Sequence, residues 1–142
     1  MKLFLLNTQE GLKPLYDEDY DLKKRLKVGK VYKADMSMPR NYEFFKKYHK
    51  LISLAWEYQN EAVQAHFKTR ENFRKTVEIA AGHCERVYHL KIKDWVDAPK
   101  SISFASMTEE EFQELYERVK DVLFAVFLKH INETEFNELL NF

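Results

Sequence analysis

The sequence predicts an α+β fold, with a small antiparallel or mixed sheet packed against several helices, and three observations predict it. Apolar residues recur with a 3.6-residue period in two long stretches, Phe44–Tyr58 and Phe112–Phe127, which gives a long central and a long C-terminal helix. Shorter runs with β-type content lie between and before them. The 142 residues include only 3 Gly and 3 Pro, too few tight-turn formers for a sandwich or barrel. The length suits one domain over residues 1–142. Hydrophobic residues at 45% and aromatics at 15% exceed what a disordered chain carries.

Taken in order, Lys2–Asn7 (KLFLLN) is a short apolar run closed by the turn-like TQEGLKP, and predicts a first strand. Asp17-Glu18-Asp19-Tyr20-Asp21 reads as a solvated loop, and Val28–Met36 alternates in part and predicts a second strand. Asn41, after Pro39-Arg40, is placed to cap the central helix, whose apolar stripe is Phe44, Phe45, Tyr48, Leu51, Ile52, Ala55 and Tyr58. Glu61–Phe67 forms a short helix and Arg70–Ala81 another, with Gly82 set to end it in a left-handed conformation. His83–Trp95 alternates as a strand, and Ser101–Ala105 is a further short one. Thr108-x-x-Glu111 has the capping-box pattern and opens a helix of some five turns. Thr134–Leu140 is a last helical piece.

One cysteine, Cys84, excludes an intramolecular disulfide and points to a reducing compartment. No run reaches the length of a membrane span, and MKLFLLNTQEG lacks the apolar core of a signal peptide, so a soluble cytoplasmic protein is expected. The five histidines and Cys84 show no metal-ligand spacing. Glycines only at 11, 29 and 82 leave no phosphate-cradling loop, so neither a metal nor a cofactor is expected. Asp17, Asp19 and Asp21 imitate the start of a calcium loop, but Leu22 and Val28 stand where Gly and Glu are required.

The net charge of zero hides an asymmetry. Leu22–Lys50 holds ten cations against Asp35 and Glu43, a balance of +8, while Thr108–Phe142 holds nine acids against three bases. A phosphate backbone is bound by several cations that displace condensed counterions, and a single strand also needs rings for its bases. Lys23, Lys24, Arg25, Lys27, Lys30 and Lys33 supply the first, extended by Arg40, Asn41, Lys46, Lys47 and Lys50, with Arg70 and Arg74 as lesser candidates. Tyr32 and Tyr42 are the stacking candidates. A solvated face with core tyrosines is the plain alternative, and the acidic last helices are either solvated or docked on a basic patch of a second copy.

The order of short motifs resembles a phage and prophage family of unassigned function. Leu3-Phe4, Gly11-Leu12-x-Pro14-Leu15-Tyr16-Asp17-x-Asp19, Pro39-Arg40-Asn41 and Phe73-Arg74-Lys75 carry the resemblance, with Ser101–Met107 leading into Glu111-Phe112-x-Glu114-Leu115-Tyr116. More remotely it is similar to the NinB family, the Orf recombination mediators of lambdoid phages, although Asn41-Tyr42-Glu43-Phe44 departs from that family's motif. The resemblance implies a homodimeric α+β protein that binds single-stranded DNA and cooperates with a single-strand-binding protein without catalysing a reaction. A module that binds the acidic tail of such a partner without touching DNA is the alternative. A metal-dependent nuclease built on Asp17, Asp19 and Asp21 is a third.

Overall fold

The computed structural model describes residues 1–39 and 41–140. Its elements are β1 (Leu5–Thr8), β2 (Gly11–Pro14), α1 (Asp17–Lys23), α2 (Tyr42–Glu57), α3 (Glu61–Phe67), α4 (Arg70–Ala80), β3 (Cys84–His89), β4 (Asp94–Pro99), α5 (Glu109–Val122) and α6 (Glu133–Leu140). A single π-helical turn, Leu123–Phe127, extends α5. The class is α+β, and its β part is two separate antiparallel hairpins, β1–β2 and β3–β4.

The apolar stripe of α2 forms the centre. Leu51, Ile52 and Ala55 are fully buried there, facing Phe73 and Val77 of α4, Phe112 and Val119 of α5, and Phe136 of α6. Rings fill much of the space: Phe44 stacks on Phe112 with centroids 4.3 Å apart, and Phe73 meets Trp56, Phe67 and Phe127. Such pairs add to the burial of their surface. α4 ends as expected: Gly82 takes φ +88°, its N–H donates to the Ile79 carbonyl, and His83 N–H donates to that of Glu78. Thr108 Oγ1 accepts from Glu111 N–H and starts α5.

Five expectations change. The acidic run Asp17–Asp21 is a helix, because Asp19 turns inward: its two oxygens accept the N–H groups of Phe4 and Tyr16, and the acids of the first turn suit the positive helix end. Val28–Met36 is neither strand nor helix, since no neighbouring strand offers it hydrogen bonds, and its side chains are exposed. His83–Trp95 is interrupted by a turn at Leu90–Lys93, where Lys93 takes φ +54° and the apolar Leu90 and Ile92 that suggested alternation lie in solvent. Ser101–Ala105 alternates in burial, with Ile102 and Phe104 inside, but it lacks a partner strand. Asn41 does stand before α2, yet its side-chain amide donates to the Met107 carbonyl instead of capping the helix. Among the described residues no helix is long and apolar enough to cross a membrane.

Candidate nucleic-acid interface and the neighbouring cleft

The cations of the basic run fall into two groups. Lys23, Lys24, Arg25, Lys27, Lys30 and Lys33 follow one another from the end of α1 into the irregular segment, and all are exposed. Lys24 lies 3.9 Å from Asp21; among the described residues the other five have no acidic partner. Tyr32, half exposed, folds back so that its hydroxyl accepts the Lys27 N–H. Val28, Val31, Met36 and Met38 stand out in solvent between the cations.

The second group sits on α2. Lys46 pairs with Glu43 at 3.1 Å and lies over the Tyr42 ring. Lys47 lies 4.7 Å from the centroid of Tyr116 and also over Phe112, which ties it to α5. Lys50 is half-buried. Tyr42 stacks on Phe45 and is partly covered, so one ring face is spent inside the fold. Arg40 lies outside the described residues. No ion pair joins the cations Lys23–Lys47 to the glutamates of α5 among the described residues; Glu114 pairs instead with Arg118 of its own helix.

Arg70 and Arg74 are placed elsewhere, and here the expectation is corrected. Arg74 is 7% exposed, and its guanidinium is fully engaged with Glu78 at 2.8 Å, Glu71 at 2.9 Å and Asp17 at 3.2 Å. A cation so enclosed is not available to a phosphate. Arg70 donates Nε–H to Ser53 Oγ and an Nη2–H to His49 Nδ1 at 2.6 Å. Around this pair the structure assembles a polar cluster that the sequence reading did not single out. The buried Tyr48 hydroxyl donates to Glu78 Oε2 at 2.6 Å. Burial pushes the Glu78 carboxyl upward, while Arg74 and the Tyr48 hydroxyl hold it back. Burial, then the adjoining Glu78, raises the Tyr48 phenol well above its ordinary range. Burial and the Arg70 cation lower His49 to about 4, so it is neutral at physiological pH. The available signal was the i, i+4 pair Arg74 and Glu78 on the face of α4 that also carries Phe73 and Val77.

Tyr48, His49 and Arg74 of this cluster line a cleft of about 610 Å³ walled by β1, β2, α1, α2, α4 and the Ile102–Phe104 segment. Tyr16, Tyr20, Phe45, Phe104 and His49 bring aromatic surface to it, and Lys13, Lys24 and Lys75 stand among its polar groups. Asp17 is bound to Arg74 and lies 3.9 Å from Lys75, and Asp19 is committed to two backbone amides. The three aspartates of the acidic run therefore do not converge as a metal site, and no group of three or more His, Cys, Asp or Glu among the described residues does.

No curated protein and no solved structure matches the chain. A family model does, over residues 3–65 and 59–141, which together take in nearly the whole sequence. With both hairpins, the six helices of the described residues and the cleft inside the matched span, the chain belongs to the family described as protein of unknown function (DUF1367).

Proposed function

We propose that the chain is a non-catalytic accessory protein of phage or prophage DNA recombination or replication, one that holds single-stranded DNA along its basic segment and acts as a mediator beside a single-strand-binding protein. The observation that carries this reading is the row Lys23, Arg25, Lys27, Lys30 and Lys33, exposed and without acidic partners among the described residues. Structural cations are normally paired or spread over a surface. Five cations without acidic partners among the described residues, from the end of α1 into the irregular segment, leave their charge for a polyanion. The motif resemblance to recombination mediators supports the same reading.

Fluorescence anisotropy with a labelled thymidine 12-mer tests it. Five phosphate contacts on a single strand predict a salt slope of about −3.5, hence a loss of about 100-fold in affinity between 50 and 200 mM salt. The triple reversal Lys27→Glu, Lys30→Glu, Lys33→Glu touches no core residue and is expected to abolish binding while leaving the thermal midpoint in place. Absence of binding by the native chain at 50 mM salt overturns the reading.

Val28, Val31, Met36 and Met38 favour a second reading, because aliphatic side chains between cations suit an acidic peptide with apolar residues better than bases. In that case an acidic peptide ending in apolar residues binds the segment, and the thymidine 12-mer neither binds nor competes.

A further inference from the structure

We infer that the cleft beside the basic segment receives one unstacked nucleobase of the bound strand; this deepens the reading above and rests on it. Four features of the cleft converge on a planar, uncharged, hydrogen-bonding ligand.

The first is charge. Every cation in the cleft lining has an acid within 4 Å: Lys13 has Glu10, Lys24 has Asp21, Lys75 has Asp17, and Arg74 has Asp17, Glu71 and Glu78. The cleft thus has little positive charge to spare for a phosphate, in contrast to the unpaired row that follows it. Second, its volume of about 610 Å³ lies within the usual range for small-ligand sites and accommodates a nucleoside. Third, its aromatic content is unusually concentrated. Tyr20, half exposed, shares the lining with Tyr16, Phe45 and Phe104, the last three in mutual ring contact. A base finds π-surface there whichever base it is.

The fourth feature is a directed donor. A guanidinium only donates, so the 2.6 Å contact from Arg70 Nη2 makes His49 Nδ1 an acceptor and places the ring proton on Nε2. Nε2 has no partner among the described residues, and it is not among the buried unsatisfied atoms, so it keeps access to solvent. His49 is the ring that lines the cleft, while Arg70, which holds its other edge, does not. A ring that lines the cleft thus carries an N–H donor held by Arg70 at its other edge, suited to a carbonyl or ring nitrogen of a base. Continuity completes the argument: Tyr20 and Lys24 of the cleft lie on or just after α1, and Arg25, Lys27, Lys30 and Lys33 continue from that point. A strand with one base in the cleft has its next phosphates beside the row.

The test compares a thymidine 12-mer with a 12-residue abasic phosphodiester of equal charge, alongside NMR of the native chain with thymidine, which has no phosphate. One captured base predicts a 5- to 100-fold (about) tighter fit for the 12-mer than for the abasic strand. Tyr20→Ala and His49→Asn each remove that advantage without changing abasic binding, whereas Tyr32→Ala leaves it intact. Thymidine at millimolar concentration shifts the His49 ring signals. Equal binding of both strands, with no thymidine shift, overturns the cleft inference and leaves the basic segment standing. A loss of the advantage with Tyr32→Ala alone also overturns it, by moving the base to Tyr32. Failure of both strands to bind at 50 mM salt, with thymidine still shifting His49, overturns the strand reading and reduces the cleft to a nucleoside site.

Discussion

His49 shows how a single side chain couples the fold to acidity. Folded, it takes up a proton only near pH 4, whereas the unfolded chain does so near 6.5. Between these values unfolding binds a proton, so stability is present above pH 6.5 and falls as the pH drops towards 4, by on the order of 3 kcal/mol. Urea unfolding across that window should show the decline. His49→Asn, which retains an acceptor for Arg70, should flatten most of it, leaving the smaller part due to His83, itself lowered by burial. An unchanged slope in the variant would mean that other groups set the acid sensitivity. Arg74 belongs to the same scale. Its charge was read from the sequence as available, because composition counts cations without their neighbours. Its burial and the reach of Glu78, Glu71 and Asp17 decide otherwise. Removing one member of so enclosed a pair typically costs about 3–5 kcal/mol, which marks the cluster as structural as well as cleft-forming.

Among the elements, those whose signal is local were legible and those that depend on a partner were not. The stripes of α2 and α5, the short α3, and the glycine stop of α4 depend on periodicity and capping within a few residues, and each stands where the pattern put it. The segment Val28–Met36 has strand-like content, but a strand exists only by pairing, and among the described residues nothing pairs with it. α1 was missed for the opposite reason: five acidic and polar residues resemble a loop until Asp19 folds back on Phe4 N–H and Tyr16 N–H, a contact that spans the first hairpin. The candidate site divides the same way. Exposure of Lys23 to Lys33 followed from the charge run, whereas the cleft, which joins the first 24 residues to α2, α4 and the Ile102–Phe104 segment, had no local signature. At this scale Thr108→Ala is expected to lower the stability of the chain by about 1 kcal/mol in chemical denaturation, through loss of the hydroxyl that accepts the Glu111 N–H. A variant with native stability would show that water replaces the cap.

For the whole molecule, zero net charge is the sum of a basic first part and an acidic last part. Among the described residues the acids of α5 form no ion pair with Lys23, Arg25, Lys27, Lys30 or Lys33. Two copies joined head to tail, or about a two-fold axis, would bring the opposite faces together, which is the form that the homodimer implied by the resemblance would take. Sedimentation should then find a dimer at 50 mM salt that dissociates as screening increases towards 500 mM. Monomers throughout would rule out charge pairing as the basis of assembly. The polyanion and the second copy would compete for the same cations, so adding the thymidine 12-mer should lower the dimer fraction in step with salt.

The irregular stretch between Lys24 and Pro39 also separates covalent continuity from structural integrity. Trypsin has Lys27, Lys30 and Lys33 within easy reach there, and cutting at them should give two bands on a denaturing gel. Those fragments should nonetheless travel together through a native sizing column, because Tyr16 remains wedged against Phe45 and Phe104, and Asp17 remains clasped by Arg74. The molecule is, in effect, one body sewn with a thread that can be snipped without the cloth coming apart.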